Sequence, residues 1–326
     1  MDSNVSKNTN SHKFFKLGFA GETLNVSVKN LLKQELLSVL DTHQQNSNIS
    51  IDLDWISSML ERKLSLYMPN RESFWLKKPR TQLLFQSNFV PLIYGCPIGL
   101  FLASLLQLSP RTITERLSKL LMLKHVNTNV EKGLIVYLDV TDSGWFNFVL
   151  NSESIIIWLE QSLWSIKQNS LTSSNVSEPN NFDLEHHSAS LFAMQYIHAR
   201  CCSLLHLAAR EKLVTLKDLE QLGWWIEQPS AIPWSELTTS AERCIIRQLL
   251  IVTDCWYTAT DVDLDWSKVA FGLSQNMAIF LAECRFLGEV KQQPQAIARI
   301  GLIALVQYWL QRILLEKLRI AAPKSL

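Results

Sequence analysis

The amino-acid sequence predicts a mostly helical protein, with a small α+β N-terminal domain followed by an all-α helical bundle. Three observations predict this. Apolar residues recur at helical spacing throughout the C-terminal half, whereas two β-branched, aromatic stretches cluster over 133–150. Between the halves, Gln168 to Ser188 holds ten Ser, Thr or Asn among 21 residues, too few apolar groups to offset the entropy of ordering. The expected organisation is a domain over 1–167, a flexible linker over 168–188 and a helical domain over 189–326.

In the first half, Val28, Leu31, Leu32, Leu36, Val39 and Leu40 predict a helix over 28–40. A short apolar helix is expected from Gly99 to Leu108. Ser109 and Pro110 then supply an N-cap and a first-turn proline for a helix that places Ile113, Leu117, Leu120 and Leu121 on one face. Gly133–Val140 and Trp145–Leu150 read as strands joined by the turn residues at 141–144. In the second half no strand pattern competes. Met194, Ile197, Cys201, Leu204, Leu205 and Ala208 form one helical stripe, and Thr215 with Asp218 and Thr239 with Glu242 read as capping boxes. Ile245, Leu249, Val252 and Trp256 follow the second box, and Trp266 to Cys284 carries a further stripe. After Pro294 the helix is apolar nearly all round, which implies burial in the middle of a bundle.

At 47% hydrophobic and 19% charged, this 326-residue chain is neither disordered nor collagen-like and can bury a sizeable core. With 31 Lys and Arg against 30 Asp and Glu, a polyanion would have to be held by local patches. The six cysteines include no C-x-x-C pair, which excludes a readable zinc ribbon or disulfide framework and fits reduced thiols of a cytoplasmic protein. The first residues lack the apolar run of a signal peptide. The stretch Ala296–Leu310 contains Arg299 and Gln307 and stops short of the roughly 20 residues that a bilayer requires, so a buried helix and no membrane span are expected.

Catalytic motifs are missing from the sequence: it holds no G-x-G-x-x-G, P-loop, H-E-x-x-H or G-x-S-x-G. Asp261, Asp263 and Asp265 imitate the start of a calcium loop. The sixth position, however, is Trp266 and the twelfth Gly272, so these acids read instead as helix-start charges. His198 and His206 are too far apart on one helix to share a metal, and no cofactor or metal is expected. Two basic stretches stand out, Arg62–Arg80 and Val290–Leu326, each with six cations against one glutamate. The first is interleaved with Tyr67, Phe74 and Trp75, a mixture suited to phosphate contact and base stacking.

Several segments together resemble the arginyl-tRNA synthetase family with its middle removed. MQYIHARCCSLLHLA (194–208) is similar to the Y-x-H-A-R-x-C-S-x-L helix that opens the family's anticodon-binding (DALR) domain, through Tyr196, His198, Ala199, Arg200, Cys202, Ser203 and Leu205. AERCIIRQLL (241–250), LSQNMAIFLAECRFLGE (273–289) and the tail from 298 to 326 resemble the helices that follow, with Leu318, Ile320, Pro323 and Leu326 in the places of the family's ending. CPIGLFLASLLQLSPRTITERLSKLL (96–121) and DSGWFNFVLNSESIIIWLEQ (142–161) resemble the family's N-terminal additional domain, which reads the tRNA D-loop.

By this resemblance Trp145 would stack on an unpaired base and Asn147 would hydrogen-bond it, with Phe148 beside them. The family pattern and the charge pattern together make Arg111, Arg200, Arg243, Arg247, Arg285, Arg299 and Arg312 candidate phosphate contacts. A competing reading makes Trp145 and Phe148 core residues of a small sheet. The catalytic domain that separates these modules in the family has no counterpart: neither H-x-G-H nor K-M-S-K occurs, and Phe280-Leu281 replaces the family's Phe-Tyr. The expectation is a non-catalytic tRNA-binding protein. The alternative is a protein–protein scaffold or regulator, with a full-length synthetase as a possible partner. An arginine–tRNA ligase label would rest on the flanking modules alone.

Overall fold

The computed structural model describes residues 14–18, most of 27–38, 92–125, 133–170, 188–218, 224–258, 264–290 and 293–325. The first basic stretch, Arg62–Arg80, the expected linker beyond 170, and Asp261 and Asp263 lie outside the described residues. Strands β1 (Phe14–Gly18) and β2 (Leu92–Cys96) precede helices α1 (Ile98–Leu106) and α2 (Pro110–His125), and then come β3 (Gly133–Val140), β4 (Phe146–Leu150) and α3 (Ser152–Ser170). The strands form one antiparallel sheet in the order β1-β3-β4-β2. Described residues between Val28 and Ser38 are helical, with Leu31, Leu32 and Leu36 buried. Two of these strands, β1 and β2, were not expected.

The 141–144 turn between β3 and β4 is pressed onto the start of α2. Gly144 has φ +79°, and a β-carbon there would stand 2.3 Å from Cβ of Pro110. One on Gly99 would meet the Gly144 carbonyl and the Thr114 side chain at 2.6 Å. Gly144→Ala combines a disfavoured backbone with a clash against proline, and should cost at least about 2 kcal/mol, read as a lower urea midpoint.

The second half contains α4 (Ser188–Arg210), α5 (Ser240–Thr258), α6 (Trp266–Glu283) and α7 (Pro294–Arg312), the last continuing as a π-helical turn over Ile313–Lys317. A short antiparallel ribbon, β5 (Leu216–Asp218) with β6 (Trp224–Ile226), lies between α4 and α5. Its presence corrects the reading of Thr215 and Asp218 as a capping box. The second box is real: Thr239 Oγ1 accepts from the Glu242 amide at 3.2 Å, and Glu242 Oε2 accepts from the amides of Thr238 and Thr239 at 2.6 and 2.7 Å. Asp265 caps α6 by accepting from the Lys268 amide at 3.1 Å.

Helix α7 is buried without interruption from Ala298 to Gln311. Helices α3, α4, α5 and α6 all touch it. With its π turn it is longer than the sequence suggested, and long and apolar enough to cross a bilayer, but 89% of that window is buried inside the protein. The two halves share one apolar core. They also meet at a buried carboxylate: Asp254 of α5 accepts from Ser27 Oγ and from the Tyr94 hydroxyl of β2, both at 2.9 Å.

Candidate nucleic-acid interface

Two surfaces gather the residues suited to hold unpaired nucleotides. The first is the open face of the sheet. Strand alternation turns Tyr94, Cys96, Phe146, Phe148 and Leu150 into the core and leaves Gly95, Asn147 and Val149 on the other side. Asn147 pairs directly with Gly95 across the strands. A β-carbon on Gly95 would stand 3.4 Å from Cε3 of Trp145 and 3.5 Å from Oδ1 of Asn147, so the half-buried indole and the amide lie together over the glycine. The Asn147 Nδ2 donates to Asp139 at 3.2 Å. At the far edge Phe14, 53% exposed, pairs with Tyr137 at 5.7 Å between ring centroids. Phe148 does not belong to this surface. It is 1% exposed and packs on Phe146, which corrects its assignment as an RNA contact.

The second surface runs along α4. Its buried stripe, Met194, Ile197, Cys201, Leu204, Leu205 and Ala208, is the one the sequence indicated. The opposite face presents Phe192, Tyr196 and Arg200, at steps of four residues and hence about 6 Å apart along the axis. The two rings are 59% and 48% exposed and lie nearly parallel at 6.1 Å. The exposed Arg200 then borders a groove shared with Arg285, which follows α6, over an apolar floor that includes Leu204, Leu281 and Phe286. Phe192 was not among the expected contacts. Tyr196 was noticed only as part of a motif, although the stripe on the buried face already placed both on the outer one.

The remaining arginines divide by what holds them. Arg111 is exposed and paired with Glu115 at 2.9 Å and Asp142 at 2.5 Å. Arg243 is half-buried and donates to the Thr238 carbonyl at 3.1 Å. Arg247 is also half-buried, and its Nε has no hydrogen-bond partner among the described residues. Two assignments are corrected outright. Arg299 is 6% exposed, bonded through Nε to Glu242 at 2.7 Å and through Nη1 to the Arg285 carbonyl, inside the bundle. Arg312 is bound to Glu316 at 2.5 and 2.8 Å and lies over the Trp256 ring at 4.2 Å. Lys317 sits over the same ring at 4.9 Å. Of that stretch, Arg299, Arg312 and Lys317 are therefore engaged by glutamates or aromatic faces, whereas Arg319 and Lys324 are exposed.

One pair imitates a nucleophile and its base: Cys202 Sγ is 3.8 Å from His198 Nε2. Burial pushes this thiol up to about 11 and Cys96 up to about 12, so both stay protonated at neutral pH. Among the described residues no cluster of three metal-ligating side chains occurs.

Over 164 residues, 48% of its length, the chain is 28% identical to an arginine–tRNA ligase of Synechococcus sp. (strain JA-3-3Ab). This partial likeness supports a relationship to the arginyl-tRNA synthetases. The match spans only 26% of that ligase. No family model and no solved structure matches the chain.

Proposed function

We propose that this protein is a non-catalytic, synthetase-like RNA-binding protein that grips transfer RNA without aminoacylating it. The observation that carries the reading is the exposed Phe192–Tyr196 pair leading along α4 into the groove between Arg200 and Arg285. Parallel rings receive unpaired bases whatever their identity, and guanidinium groups beside an apolar floor receive the phosphates. Trp145 and Asn147 over Gly95 supply a second, amide-bearing grip. The relative named as a ligase supports transfer RNA as the nucleic acid, and the lack of H-x-G-H and K-M-S-K signatures supports a binding role. Such a partner fits a cytoplasmic protein.

Retention of total tRNA across a salt series, alongside arginine-dependent ATP–pyrophosphate exchange, tests this. Retention should fall with salt and exchange should be undetectable. Tyr196→Ala should weaken binding by about 1–3 kcal/mol. Arg200→Ala should weaken it on every RNA sequence and lower the salt slope by about one. Genuine exchange would overturn the reading. Absence of salt-sensitive retention would favour a protein–protein scaffold.

A further inference from the structure

Arg285 stands outside any helix, yet its place is fixed from beneath. Helix α6 ends at Glu283, and Cys284 leaves it with φ −112° and ψ 98°, an extended backbone. From there the side chains alternate: Cys284 and Phe286 are buried, and Arg285 between them is exposed and lines the groove. The Cys284 amide closes the last turn of α6 on the Phe280 carbonyl at 2.7 Å, and beyond it no helical ladder carries the segment. Two ties come instead from the start of α5. Thr239 Oγ1 lies 3.4 Å from Cys284 Sγ. Glu242 Oε1 accepts from Arg299 Nε at 2.7 Å, and Arg299 Nη1 donates to the Arg285 carbonyl.

Both members of the capping box therefore serve twice, once for α5 and once for the exit of α6. Arg299 suits the second task because a guanidinium offers donors in a rigid fork, so one side chain serves a carboxylate and a carbonyl in fixed geometry. Glu242 is fully buried and Arg299 is 6% exposed, and their charges balance. Neither can reach a phosphate, so any effect on RNA has to pass through Arg285.

We propose that Glu242 and Arg299 are positioning residues for the RNA groove, holding Cys284–Phe286 so that the Arg285 guanidinium stands with that of Arg200 over the apolar floor. The inference rests on the function proposed above. A segment set in advance has less freedom to lose when RNA binds, which is how a residue that never touches the ligand raises affinity.

Retention of tRNA by the full-length protein tests this in a double-mutant cycle of Arg285→Ala and Arg299→Lys, each across a salt series and each shown to be folded by its urea curve. Lysine keeps a charge for Glu242 but lacks the second arm of the fork. Arg285→Ala should weaken retention about tenfold and lower the salt slope by about one. Arg299→Lys should act in the same direction, and should speed hydrogen exchange of the 284–287 amides about tenfold while those of α7 keep their protection. On the Arg285→Ala background it should weaken retention no further. Glu242→Gln loosens the same anchor and replaces Arg299→Lys in the cycle if that variant does not fold, with the same loss expected and the same disappearance of it. Losses that add in the double variant, or a folded Arg299→Lys with wild-type affinity and slope, would overturn the proposal. If Arg285→Ala binds as the wild type does while Tyr196→Ala binds weakly, the positioning role falls and the aromatic face of α4 stands. Absence of salt-sensitive retention in the wild type removes both.

Discussion

Glu242→Ala should be the most destabilising single change in the helical half, costing about 3–5 kcal/mol. The carboxylate is fully buried and its two oxygens have different tasks. Oε2 closes the start of α5, whereas Oε1 accepts from Arg299 at 2.7 Å and more distantly from Gln295 at 3.4 Å. Truncation leaves the Arg299 guanidinium in the core with only carbonyl support, and removes the acceptor for two helix-start amides. Urea denaturation followed by tryptophan fluorescence measures the loss. Glu242→Gln keeps an oxygen for the amides and should cost less. Arg299→Met on the alanine background should recover part of the stability, since it removes the stranded charge. A cost below about 1 kcal/mol for Glu242→Ala would show that water reaches the pair.

Asp254→Ala should produce the second large loss, about 2–4 kcal/mol, because one buried carboxylate serves donors from the other half of the chain. The Tyr94 hydroxyl is left deepest. Burial, then the nearby carboxylate, holds it well above its ordinary range, so it remains a donor in need of an acceptor. A double-mutant cycle with Tyr94→Phe isolates that bond, and a coupling of at least about 1 kcal/mol is expected. The variant should also separate the unfolding of the sheet domain from that of the bundle, where one transition is expected of the wild type with its shared core. If the two changes are simply additive, Asp254 does not join the halves through Tyr94.

The helices were legible because their apolar stripes are wide and their starts are marked. Thr239 with Glu242, Asp265 before α6 and Ser109 before α2 each cap where their side-chain chemistry suggested. Strands β1 and β2 were hidden by composition, since β4 is equally short: β1 (FFKLG) holds no β-branched residue, and Gly95 interrupts the β-branched and aromatic content of β2. The ribbon strand β5 was concealed by Thr215 and Asp218, which imitate a helix start. Among the proposed contacts, the exposed faces could be read but the fate of the cations could not. Arg299 finds its partner 57 residues away, and Arg312 is held by Glu316 beneath the ring of Trp256. A basic residue on an apolar helix gives no local sign of whether it will meet water, a carboxylate or an indole.

The position of α7 in the chain has a consequence for how the protein is made. Every helix it braces leaves the ribosome before it does, carrying an apolar surface with nothing yet to cover it. For that interval the nascent polypeptide is an incomplete ring awaiting its hub, exposed to aggregation and to chaperones alike. Premature termination before Pro294 would thus leave the helical half without the element at its centre.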